Sequence, residues 1–177
     1  AYSGYINTQK KEFVSIKSDK KFEKSKNDTG NIFYNIEYSG IDLAGNRYII
    51  KSQKAVPNKL NESLIQMEGV TSFFYFKDGT ILKISSEFGR YNNNTLDIEF
   101  EKDIKAEYEK STIEAQSAIY SNSKGFLTVS DEVKVNDIQG SLYADKLVFD
   151  IKKQTLKIET LNNDRISVNV DTDEKRF

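Results

Sequence analysis

Ile84-Ser85-Ser86-Glu87-Phe88-Gly89-Arg90-Tyr91 is the stretch that decides the fold, because it recurs. Its apolar and small positions, Ile84, Ser86, Gly89 and Tyr91, return 29 positions later as Ile113, Ala115, Ala118 and Tyr120. After another 29 they return as Leu142, Ala144, Leu147 and Phe149. A weaker copy lies upstream at Ile50, Ser52 and Ala55, with Tyr48 ahead of it. Downstream of each copy a second apolar pair repeats in the same way: Leu127 and Val129 reappear as Leu156 and Ile158. Self-similarity at a fixed period signals a chain built from one supersecondary unit used repeatedly.

Within a unit the residues alternate apolar and polar, the period of a strand with one buried face. Leu82-Lys83-Ile84, Leu96-Asp97-Ile98-Glu99-Phe100 and Val133-Lys134-Val135 show the same alternation, and Gly- and Asn-rich turns fall between them at Ala44-Gly45-Asn46, Asp78-Gly79, Asn92-Asn93-Asn94, Lys124-Gly125 and Gln139-Gly140. Short strands at this spacing predict an all-β chain of two-strand units. The step of three from Ser86 to Gly89, and from Ala115 to Ala118, breaks the alternation. A β-bulge at that point would restore the inward direction and bend the strand. Small residues at Ser52, Ser86, Ala115 and Ala144 are then expected to form a row across adjacent strands, either leaving room inside the fold or letting two sheets approach closely.

Composition excludes several chemistries. The 177 residues hold no His and no Cys, so no catalytic triad, imidazole ligand, thiolate zinc site or disulfide exists. The formal net charge of −1 gives no footprint for nucleic acid. Gly40 and Gly45 have P-loop spacing, but Asn46-Arg47 stands where Lys-Ser/Thr is needed. Asp97, Glu99 and Glu101 share one strand face, best read as solvated. No cofactor and no metal is expected.

No run approaches the roughly 18 apolar residues of a membrane span. The chain opens on Ala1, as expected where an N-terminal anchor has been removed. Residues 1–30 carry seven Lys against four acids, a net +3, and read as an arm near an anionic surface. Residues 31–170 read as a single domain and 171–177 as a tail.

The ordered series resembles a known family. Asp42-Leu43-Ala44-Gly45-Asn46-Arg47-Tyr48-Ile49-Ile50-Lys51-Ser52 looks like its opening unit, and Asp78-Gly79-Thr80-Ile81-Leu82-Lys83-Ile84-Ser85-Ser86 like the next. Ile113 to Tyr120 and Gly140 to Asp150 resemble the last two. Together, over roughly 31–170, they are similar to the LptC family of lipopolysaccharide-export proteins and more loosely to the LptA/OstA repeat proteins. One departure stands out: related chains often carry Gly before the Val-x-Val strand, whereas here the stretches are Glu101-Lys102-Asp103-Ile104 and Asp131-Glu132-Val133.

The resemblance implies a twisted, open antiparallel β-jelly roll in the periplasm, tethered to the inner membrane by an N-terminal helix. It implies a non-enzymatic protein that takes lipopolysaccharide from ABC-transporter permease β-domains and delivers it to an LptA-like protein by edge-strand pairing. The expected lipid A-binding trough is lined by Tyr48, Ile50, Ile84, Tyr91, Ile98, Ile113, Ala115, Tyr120, Val129, Val135, Leu142, Ala144, Leu147 and Phe149. The expected partner edge carries Ile166, Val168 and Val170, with Leu156-Lys157-Ile158 as its neighbour, while the strand within 32–43 faces the transporter. Two other classes remain open: a structural β-repeat module of a surface or adhesive protein, and a carbohydrate-active enzyme, which would need two facing carboxylates. The interior discriminates, since a lipid carrier needs an open apolar cleft and a packed solenoid has none.

Overall fold

In the computed structural model, residues 31–159 are described in full and Ser15–Ser18 and Ser167–Val170 as backbone strands. The described residues are all β. Eleven strands form one antiparallel sheet: β1 (Ser15–Ser18), β2 (Phe33–Ile41), β3 (Arg47–Pro57), β4 (Leu64–Tyr75), β5 (Ile81–Asn92), β6 (Ile98–Tyr108), β7 (Ser111–Ser121), β8 (Phe126–Asp137), β9 (Gly140–Asp150), β10 (Thr155–Glu159) and β11 (Ser167–Val170). The strands β1 to β10 follow one another in space as in sequence. The four repeat units are the hairpins β3–β4, β5–β6, β7–β8 and β9–β10. β1 lies within the residues expected to form an arm, yet it pairs with β2 and belongs to the same sheet.

A crease crosses this sheet. Left-handed backbone occurs at Asn35 in β2, Gly69 in β4, Lys102–Asp103 in β6 and Asp131–Glu132 in β8. These positions lie opposite Gln53 in β3, Glu87 in β5, Gln116 in β7 and Asp145 in β9, beside Ser52, Ser86, Ala115 and Ala144. From β5 to β9 the register slips at this line, between Ser85 and Phe88, Glu101 and Ile104, Glu114 and Ser117, and Ser130 and Val133. The slips therefore lie on the line that the step of three marks, but the extra residue belongs to β6 and β8 and not to β5 and β7, which carry the step. Burial follows the step: in β5, Leu82, Ile84 and Ser86 are buried, Glu87 and Phe88 are out, and Gly89 and Tyr91 are in again.

The crease divides each long strand between two walls. The upper wall ends in the turns at 42–46, 76–80, 109–110 and 138–139, the lower wall in those at 58–63, 93–97, 122–125 and 151–154. Rings on strands three apart meet, which requires the sheet to fold over onto itself. Tyr38 of β2 lies 5.1 Å from Tyr91 of β5, Phe74 of β4 lies 4.9 Å from Tyr120 of β7, and Tyr108 of β6 lies 5.4 Å from Phe149 of β9. Such tilted and edge-on pairs add about 0.5–1.5 kcal/mol each beyond the area they bury. Inside, cross-strand rows run unbroken, as in Tyr91–Ile98–Tyr120–Leu127–Phe149–Leu156 along the lower wall.

Outside, opposite charges face each other across strands: Lys54 and Glu68 at 2.7 Å, Lys83 and Glu107 at 3.3 Å, and Arg90 with Glu99. Each such exposed pair is worth under about 1 kcal/mol. Their larger role is to fix register, since a one-residue slip would carry these charges inward.

Two expectations are corrected here. The small residues do not form a row on adjacent strands. They occupy alternate strands, β3, β5, β7 and β9, with Val70, Ile104 and Val133 between them. Ser52, Ser86 and Ala115 are buried, so the row lets the walls approach at the crease instead of opening a space there. The last strand also does not extend the serial order. β11 pairs with Gly140–Tyr143 of β9, in line with β10 on Lys146–Asp150, so the two share the terminal edge.

The crease can be tested in both directions. Glu132→Gly should stabilise the protein by about 1 kcal/mol, because a left-handed position costs a side-chain-bearing residue about that much. A thermal melt should rise by roughly 2–4 °C. Ala115→Trp should do the opposite: overpacking a closed core costs about 1–3 kcal/mol or more, read as a lowered urea midpoint.

Candidate functional site

The fourteen residues expected to line a trough divide into two groups. Tyr48, Ile50, Ile84, Tyr91, Ile98, Ala115, Tyr120 and Leu147 are at most 3% exposed and belong to one continuous core. There the two walls pack directly on each other. Ile113, Val129, Val135, Leu142 and Phe149 line a cavity of about 410 Å³ between the C-terminal strands, where Val129 and Phe149 also belong to the buried core. Ala144 is half-buried and packs against the core between the two groups.

The cavity lies where it does because of the three-strand offset. Lower-wall segments of β5, β7 and β9 cover upper-wall segments of β2, β4 and β6. Continuing the count, the upper-wall ends of β7, β8 and β9 would need lower-wall strands at and beyond β10. Only β10 exists there among the described residues, and it is five residues long. Ile113, Val135 and Leu142 are thus left partly uncovered, facing Leu156 and Ile158 across open space. The sequence marked Leu156 and Ile158 as repeat partners of Leu127 and Val129, and all four line the cavity. Leu82 and Tyr108 were missed, because nothing local shows which upper-wall residues a distant strand leaves bare.

The chemistry of the cavity is simple. Its walls are aliphatic and aromatic, and its polar residues are Ser111, Asp137, Gln139, Ser141 and Gln154, with Tyr108 adding a phenol. Asp137 is the single charged side chain among the lining residues described. Ser141 Oγ donates to Asn136 Oδ1 at 2.7 Å, and Asp137 Oδ1 accepts the Gln139 N–H at 2.6 Å, so both polar groups are engaged within the β8–β9 hairpin. No group of three or more carboxylates suited to a metal ion occurs among the described residues. Glu99 and Glu101 flank Arg90 on the outer face, and Asp97 accepts the backbone N–H of Asn122 at 2.8 Å. The cavity can hold an apolar chain, and its described lining residues offer no cation to a phosphate.

At the opposite rim, Gln154 closes the gap between the walls. Its Nε2 donates to Asp78 Oδ2 at 2.9 Å, and its Oε1 accepts from Tyr108 OH at 2.8 Å and lies 3.1 Å from Thr80 Oγ1. Asp78 is fixed in turn by the Thr80 N–H and hydroxyl, and these bonds, with the one from Gln154, hold its carboxyl below the ordinary carboxylate value.

On the expected partner edge, Val168 pairs with Leu142 and Val170 with Gly140. Ile166 lies outside the described residues. β2, within the segment expected to face the transporter, has neighbours on both edges, β1 and β3.

A lipopolysaccharide-assembly, LptC-related family model matches residues 3–162. The crystal structure of LptH from Pseudomonas aeruginosa, described as the LptA homologous periplasmic component of the conserved lipopolysaccharide transport device, is similar in fold, with a TM-score of 0.51 and 11% sequence identity over 70% of this chain and 94% of that one. No curated protein sequence matches. The β-jelly roll and the family match agree, and the chain belongs to the LptC-related family of non-enzymatic lipopolysaccharide-transport components.

Proposed function

We propose that the C-terminal cavity receives an acyl chain of lipid A and holds it during passage from an inner-membrane ABC transporter, through its permease β-domains, to an LptA-like bridge in the periplasm. The observation that carries this reading is an apolar cavity, open where the sheet runs out, in a chain of the LptC-related family. Sheltering a chain is worth roughly 0.8 kcal/mol per methylene, so a few methylenes of contact outweigh any single hydrogen bond. At about 410 Å³ the space lies toward the low end of the roughly 300–1,000 Å³ of small-ligand sites. It suits one chain; the further acyl chains of lipid A would have to part the walls. The protein's location in this reading is the periplasm, with a helix upstream of Ala1 as its tether to the inner membrane.

The shared edge of β10 and β11 is the proposed docking strand for an LptA-like β-domain. It lies beside the mouth of the cavity, and backbone pairing there would continue the sheet and lengthen the apolar floor.

A photo-crosslinker at Leu142 or Ile113 should capture lipid A, and one at Ile84 or Ile98 should capture none. Equal capture at the four positions would rule out the cavity as the binding site. Leu142→Trp should fill the space and lower lipid binding several-fold while leaving the thermal midpoint within a few degrees.

For the partner, crosslinkers at Lys157 and Val168 should capture an LptA-like protein, and one at Lys51, in mid-sheet, should not. Capture at Lys51 alone would refute edge docking.

A further inference from the structure

We infer that Gln154 controls entry to the cavity, acting as a clasp that the incoming chain must release. The lipid reading above supplies the identity of the cargo; the clasp itself rests on geometry.

Gln154 sits in the β9–β10 turn of the lower wall, whereas Asp78 and Thr80 sit in the β4–β5 turn of the upper wall, 76 and 74 positions away in sequence. The two turns are not neighbours in the sheet, so their contact spans the gap between the walls. One amide bonds Asp78 and Tyr108, with the Thr80 hydroxyl, which donates to Asp78, 3.1 Å from its oxygen, and so satisfies both its donor and its acceptor sides. Gln154 and Tyr108 also line the cavity. The residues that tie the walls together are thus the residues an entering chain meets.

The direction of the amide matters. Its Nε2 faces a carboxylate that Thr80 holds from two sides, and its Oε1 faces two hydroxyls. Glutamate in its place would set a second carboxylate against Asp78 and repel it. Backbone at Gln154 is left-handed, φ 53°, an arrangement that persists only where surrounding contacts hold it. Releasing the clasp would let the turn relax and the rim move outward. Beneath it the Tyr108–Phe149 and Phe76–Phe149 ring contacts, 5.4 and 6.2 Å, are the next link between the walls. Entry would then proceed from the polar clasp to the aromatic contacts.

The test uses the whole chain with two probes, the small apolar dye N-phenyl-1-naphthylamine and lipid A in micelles. The chain has no Cys, so Asp78→Cys with Gln154→Cys can be bridged cleanly by a short bismaleimide. The bridged protein should admit both probes at least tenfold more slowly than the same variant unbridged. Gln154→Ala should admit dye faster by on the order of tenfold, the factor carried by one net hydrogen bond of the stronger kind. Gln154→Glu should be at least as fast. Should Gln154→Ala lose its β circular dichroism spectrum, the bridged variant decides alone, since it adds a tether and creates no void. Dye uptake unchanged by bridging, or a parent protein that admits no dye, overturns the clasp. Dye gated by bridging with no lipid A bound by any variant keeps the clasp and overturns the lipid reading.

Discussion

Everything in this structure depends on a line of backbone bent the wrong way for ordinary residues. A flat sheet of ten serial strands would have two apolar faces to hide or one to leave wet. Left-handed residues at Asn35, Gly69, Lys102–Asp103 and Asp131–Glu132 crease the sheet, and the crease lets one apolar face cover itself. Small side chains at Ser52, Ser86 and Ala115 permit the close approach at the fold line. The aromatic contacts Tyr38–Tyr91, Phe74–Tyr120 and Tyr108–Phe149 then hold the walls shut farther out. Bend, small residue and ring repeat along the sheet, so stability is spread over similar layers and not concentrated in one nucleus.

Much of this was legible in the sequence. The recurrence of Ile84–Tyr91 as Ile113–Tyr120 and Leu142–Phe149 marked the units, and the step of three marked the line of the crease, though the extra residues lie on the strands between. The bend residues were harder to see. Gly69 is the residue type that a left-handed position favours, but Asn35, Lys102, Asp103, Asp131 and Glu132 carry side chains there, so the usual glycine signal is missing at three of the four bends. The departure noted between Glu101 and Ile104 and between Asp131 and Val133 was itself the clue, since the absent glycines belong to positions that remain left-handed.

The site was less legible, for a different reason. Periodicity tells which side chains point inward but not what lies across from them. Ile84 and Ile113 occupy equivalent places in successive units, yet Ile84 is sealed in the core and Ile113 borders open space. The difference arises from how many strands follow each one, a property of the whole chain. Gln154 was invisible for the same reason: its partners Asp78 and Thr80 lie in another hairpin, and no local pattern links a glutamine in one turn to an aspartate in another. The placement of β11 on β9 instead of β10 likewise depends on a tertiary choice, because β10 is too short to offer an edge along the whole of β9.

The three-strand offset has a consequence for how such proteins grow. A sheet that packs on itself in this way leaves one strip uncovered at its finishing end, however many strands came before. Inserting or removing a 29-residue unit in the middle would change the number of sealed layers and leave the vacancy at the end the same size. Chain length and pocket size are therefore independent variables in this architecture. A lineage can lengthen or shorten the molecule to span a different distance without redesigning the place where cargo sits, and two molecules of unequal length can present the same opening to a common neighbour.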